Sequence, residues 1–133
     1  MATEVILATT ELDALPNNNR KLLSEVDNSV SPKGFIDIRL TLGEIAQARA
    51  INACVDVYLI PSMNGVDYLL GESVDPSINM FLSSMNFRDT INSETDIIMF
   101  QRIPVGKFKL LLKNRTGEPL SATGNILSYR IYG

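Results

Sequence analysis

A chain of 133 residues, 45% hydrophobic and 20% charged, suffices for one domain with a sizeable core that needs no disulfide or metal to hold it. A net charge of -3 with scattered Lys and Arg leaves no basic footprint, which argues against non-specific nucleic-acid binding. No apolar run approaches the roughly 20 residues of a membrane helix. The N-terminus shows no cationic stretch followed by an apolar one, so no membrane role and synthesis in a cytoplasm are expected.

Residues 1–33 differ from the rest: three asparagines (Asn17, Asn18, Asn19) lie between Pro16 and Pro32, with isolated leucines around them. Pro16 cuts short any helix begun at Thr10 or Asp13, because the residue before proline is biased out of the helical region. Val5-Ile6-Leu7 and the leucines are too apolar for a disordered tail. The segment reads as an extended N-terminal arm that docks either on its own domain or on a neighbour.

From Gly34 the pattern has period two. Ile36, Ile38, Leu40 and Leu42 alternate with Asp37, Arg39 and Thr41, the signature of a half-buried strand. Gly43 to Arg49 is a connection. Residues 50–60 form the next strand, with Val55, Val57 and Leu59 on one face and Asp56 and Tyr58 on the other. The single cysteine, Cys54, lies in this apolar run, excludes an intrachain disulfide, and reads as a small core hydrophobe. Pro61 ends the strand, Ser62-Met63-Asn64-Gly65 is a turn, and Val66 to Leu70 a short return strand.

A strand is expected near 77–83 and a polar loop from Asn86 to Thr95. Asp96 to Ile103 reads as a strand ended by Pro104. Lys107 to Lys113 alternates Phe108, Leu110 and Leu112 against Lys107, Lys109 and Lys113, with Leu111 on the lysine face. Asn114 to Gly117 is a turn, and Ile126 to Tyr132 the last strand. Short strands separated by Gly, Pro and Asn turns predict an all-β fold over 34–133, an antiparallel sandwich (jelly-roll-like) or a barrel-like fold, preceded by the arm over 1–33.

Histidine is absent, which removes Ser-His-Asp and Cys-His catalysis, and one cysteine cannot build a typical zinc site. Glu72 with Asp75, or Glu94 with Asp96, are the nearest carboxylate pairs for glycoside hydrolysis. Both read first as solvated loop acids. Asp67, Asp75 and Asp96 lack the spacing of a calcium loop. Tyr58 and Tyr68 are the pair a glycan-binding module would expose, or else rings packed at a sheet margin. The lysine row offers an anion-binding surface or a solvated strand face that discourages edge pairing. No catalytic residue, cofactor or metal is assigned.

Several stretches carry a resemblance together. They are Thr10-Glu11-Leu12-Asp13-Ala14-Leu15, Val26-Asp27-Asn28-Ser29, Val57-Tyr58-Leu59-Ile60-Pro61-Ser62 and Asn64-Gly65-Val66-Asp67-Tyr68. At the end come Ile103 to Leu110, Lys113-Asn114-Arg115-Thr116-Gly117 and Ser121-Ala122-Thr123-Gly124-Asn125. In this order the chain resembles small virion structural proteins of tailed bacteriophages, of the capsid cement or decoration type. These are turn and strand motifs, and they specify a fold better than a role. One turn reads Pro104-Val105-Gly106 where the family pattern has Pro-Pro-Gly, and it keeps both residues with special backbone demands.

The resemblance implies a non-enzymatic protein of the virion that binds the major capsid protein on the capsid surface as a symmetric homo-oligomer, dimer or trimer. Leu7, Leu12, Leu15, Leu22 and Leu23 are the expected subunit or capsid contacts, with docking on their own sandwich as the alternative. Another reading is a tail or fibre-associated module that binds a host-surface glycan.

Overall fold

The alternation of apolar and polar residues builds the whole molecule. The computed structural model describes residues 3–62, 64, 68 and 75–133. Its strands are β1 (Val5–Ala8), β2 (Arg20–Leu22), β3 (Val26–Asn28), β4 (Phe35–Leu42), β5 (Cys54–Pro61), β6 (Phe81–Asn86), β7 (Glu94–Arg102), β8 (Gly106–Arg115) and β9 (Ile126–Tyr132). They form two antiparallel sheets: four strands in the order β1-β9-β4-β7, and five in which β2, β8, β5 and β6 follow one another while β3 also pairs with β8. The pairings nest like a folded hairpin: β1 with β9, β2 and β3 with β8, β4 with β7, and β5 with β6.

The inner faces of the two sheets share one core. Ile36, Ile38, Leu40 and Leu42 of β4 meet Val55 and Val57 of β5 and Phe108, Leu110 and Leu112 of β8. Leu111 points the other way and joins Tyr58 and Ile60 in a second cluster outside the five-stranded sheet. Period two therefore holds on both faces of β5 and β8.

Residues 3–33 dock on their own sandwich, one of the two expected placements. β1 zips onto β9, and β2 and β3 onto β8, so three short strands complete the sheet edges. Leu12, Leu15 and Leu23 lie buried in the common core, and Leu7 packs against it. The connections are fixed by backbone bonds, Ala14 N–H to Ser121 O at 2.8 Å and Leu120 N–H to Leu15 O at 3.0 Å.

Other boundaries move as well. The strand expected near 77–83 starts at Phe81, because Ser77 caps a 3-10 turn over Ile78–Met80. β8 runs two residues beyond Lys113, and Asn114 is fully buried at its end. Its Nδ2 donates to Leu15 O (2.9 Å) and Glu118 O (2.8 Å), while Oδ1 accepts from Thr116 N–H and Oγ1. One asparagine thus ties the N-terminal segment to the turn after β8. In that turn Gly117 has φ +89°, and a Cβ there would stand 2.6 Å from the Ala50 Cβ. Most of the expected 62–70 hairpin, namely Met63, Gly65, Val66, Asp67, Leu69 and Leu70, lies outside the described residues.

Candidate interaction surface

The two sheets present different outer faces. On the five-stranded sheet, Tyr58, Ile60 and Leu111 are covered by Leu22, Tyr68 and Met80. Tyr58 is only 9% exposed and meets Phe81 edge-on at 5.5 Å. The Tyr68 hydroxyl donates to Glu25 Oε2 (2.8 Å), and the Lys109 ammonium lies 4.5 Å from its ring centre. Burial, and then the bond to Glu25, push the Tyr68 hydroxyl up to about 12. These tyrosines are packed, not displayed as a glycan platform.

The lysine row is likewise engaged. Lys113 reaches Asp75 at 3.0 Å, and Lys107 stands 3.7 Å from Glu25. The remaining acids of the sequence reading are structural. Asp75 also holds Arg20 at 2.6 Å; Glu94 holds Arg49 and Arg88; Asp96 accepts from the N–H groups of Asn86 and Ile97. Glu72 and Asp67 lie outside the described residues, among which no cluster of three metal-ligating side chains occurs.

Cys54 is half-buried but absent from both apolar clusters. Its Sγ lies 3.9 Å from Asp56 Oδ1, on the face of β5 opposite Val55 and Val57. Burial, and then the Asp56 charge, raise its thiol above the ordinary cysteine range, so it is neither a core hydrophobe nor an activated nucleophile.

On the four-stranded sheet nothing comparable among the described residues covers the outer face. Ile97 and Met99 of β7 are 51% and 42% exposed, and Ile6 and Ile126 stand open on the β1–β9 side. Between these apolar groups runs a seam of internally paired charge. Glu4 accepts from Ser128 Oγ and pairs with Arg39; Asp37 Oδ2 accepts from Arg130 Nε at 2.7 Å. Two shallow depressions of about 180 and 310 Å3 lie along this seam.

Asp37 organises one corner. Its Oδ1 accepts the Phe100 N–H (2.9 Å) and the Tyr132 hydroxyl (2.8 Å). Burial alone would raise this carboxyl, but the Phe100 N–H, Arg130 and Tyr132 outweigh it and hold Asp37 below the ordinary aspartate range. The β4–β7 register shifts between Ile36 and Ile38, and Phe100 takes φ +60° opposite that shift. A bulky residue there is a strained outlier, at a cost of about 1–3 kcal/mol. The result is an aromatic ring 68% exposed, T-shaped against Tyr132 at 6.4 Å, with Phe35 stacked on Tyr132 at 5.8 Å.

The free edge of β7 is blunted against strand addition by the bulge and by side chains folded back on it. Ile97 N–H is met by Asp96 Oδ1, and Met99 O by Gln101 Nε2. What this sheet leaves open is therefore its face rather than its edge.

The leucines expected as contacts dock on their own sandwich, the alternative reading. Leu12, Leu15 and Leu23 are closed inside the core, Leu7 is packed against it, and Leu22 helps cover the opposite face. The surface residues left unassigned by the sequence reading are Ile97, Met99 and Phe100. Their signal was a run in which both strand parities are apolar, Ile97-Ile98-Met99-Phe100. No protein-family model matches the chain, and no curated protein matches it as a relative.

Proposed function

We propose that this chain is a non-enzymatic virion structural protein, a capsid cement or decoration subunit that binds the major capsid protein and stabilises the assembled head. The observation that carries the reading is the uncovered outer face of the four-stranded sheet, where Ile6, Ile97, Met99, Phe100 and Ile126 surround charges already paired within the chain. Exposed apolar side chains grouped around a polar seam in this way support a contact with another protein. Closing it removes apolar area from water at about 25 cal/mol per Å2 and buries the seam charges already paired.

The nested strand pairing supports a jelly-roll sandwich, an architecture used in capsid and lectin domains alike. The fold alone does not choose between them. The packing of Tyr58 and Tyr68 takes away the platform a glycan-binding module would use, which favours the capsid reading. Homo-oligomerisation as a dimer or trimer, and repetition over a symmetric shell, would add avidity without further contacts.

Light scattering coupled to size-exclusion chromatography, followed by cosedimentation with purified heads lacking this protein, tests the proposal. A defined oligomer that saturates heads at a fixed ratio supports it. A chain that leaves heads unbound at every concentration overturns it.

A further inference from the structure

We infer that the Phe100 corner docks an extended partner segment pairing an apolar side chain with a carboxylate. This inference rests on the assembly reading above and specifies the chemistry of the capsid-protein element at that site. Charge decides it. Arg20, Arg39, Arg49, Arg88, Arg115 and Arg130 each stand within salt-bridge distance of a carboxylate. Arg102, two residues after Phe100, has no carboxylate partner among the described residues. Its guanidinium lies over the Phe35 ring at 6.0 Å. A stacked guanidinium keeps its in-plane donors free for a carboxylate, which it grips bidentately.

The apolar half of the site is prebuilt. Phe100 and Arg102 line a groove of about 520 Å3 with Leu59, Pro61, Phe81 and Pro104. Asp37, holding the Phe100 N–H and Tyr132 hydroxyl, fixes the ring's platform before any partner arrives, so docking loses little conformational freedom. Aromatic residues and arginine at one desolvated point are the usual composition of an interface hot spot. Because β7's edge is capped, recognition there runs through side chains.

The test is cosedimentation of wild type and four exposed-site variants with purified heads lacking the protein, at two salt concentrations. Phe100→Asn removes the ring but keeps a residue that tolerates the left-handed region, so the bulge survives. Arg102→Glu reverses the free charge, Arg102→Lys restores a cation, and Ile51→Ser is a control in an exposed turn. The expected result is a loss of about tenfold or more for Phe100→Asn and Arg102→Glu, a smaller loss for Arg102→Lys, and none for Ile51→Ser. Added salt weakens wild type more than Arg102→Glu.

Wild-type binding that Phe100→Asn and Arg102→Glu leave unchanged overturns this inference and spares the assembly reading. Failure of wild type itself to bind overturns both. Light scattering on the same samples covers the remaining occupant: an oligomer that either variant converts to monomer assigns the corner to a second copy of this chain, which also overturns the inference.

Discussion

The outer faces of the two sheets start from the same pattern and end differently. β5 and β8 carry apolar residues on both parities, and so does the middle of β7. On the five-stranded sheet the outward set, Tyr58, Ile60 and Leu111, is closed over by Leu22, Tyr68 and Met80 from this same chain. On the four-stranded sheet Ile97, Met99 and Phe100 stay open. A strand apolar on both faces needs two covers, and among the described residues the second cover is present for only one sheet. The proposed assembly would supply the other.

The largest way to break that comparison is truncation. Leu111→Ala should cost about 2–5 kcal/mol in chemical denaturation, because a fully buried side chain leaves a cavity. Ile97→Ala should stay within about 0.5 kcal/mol in the isolated protein. Equal costs would mean that the two faces are covered alike. Asn114→Ala should lose about 1–3 kcal/mol or more, since Leu15 O, Glu118 O and the Thr116 donors are all deprived of their partner together. A loss below 0.5 kcal/mol would show that the N-terminal strands hold without this tie.

Phe100→Gly sharpens the comparison from the other side. Relief of the left-handed strain, about 1–2 kcal/mol, is offset by loss of the Tyr132 contact at about 0.5–1.5 kcal/mol. Stability should therefore change by less than about 1 kcal/mol, although a large aromatic is lost; a drop as large as Leu111→Ala would make Phe100 a core residue.

The acid limb should also report Asp37. Its carboxyl titrates below the ordinary range, so its contribution is fully present above the unfolded value of about 3.9 and is lost as pH falls through the lower folded value. The stability gap between wild type and Asp37→Asn should shrink below about pH 4. A gap constant from pH 6 to 2.5 would remove Asp37 from the account. The smallest effect is on Cys54, whose raised pKa should make it react with a disulfide reagent at pH 8 more slowly than a free thiol, as a timed absorbance trace would record.

Strands whose alternation is strict were legible. Ile36, Ile38, Leu40 and Leu42 all reached the core, and Ile126 to Tyr132 is the last strand as expected. Less was visible at the N-terminus. Short strands such as Arg20–Leu22 and Val26–Asn28 exist only because β8, about eighty to ninety residues away, offers them an edge. No local pattern encodes such non-local pairing.

Cys54 was readable and misread: period two already sets it opposite Val55, on the side of Asp56. The backbone conformation of Phe100 was not readable, since phenylalanine is a poor residue for positive φ, and the Asp37 carboxylate across the strand holds it there. The candidate surface fell between these cases. Its apolar run was in plain view, but which side of it lacked a cover depended on the whole topology.

Hydroxyl-radical footprinting of the two faces, before and after saturation of heads with the protein, tests the central claim most directly. Met99 lies on the open face and Tyr68 on the covered one. The account predicts that Met99 and Phe100 lose reactivity on assembly while Tyr68 keeps its own. Protection of Tyr68 with Met99 and Phe100 unchanged would contradict it.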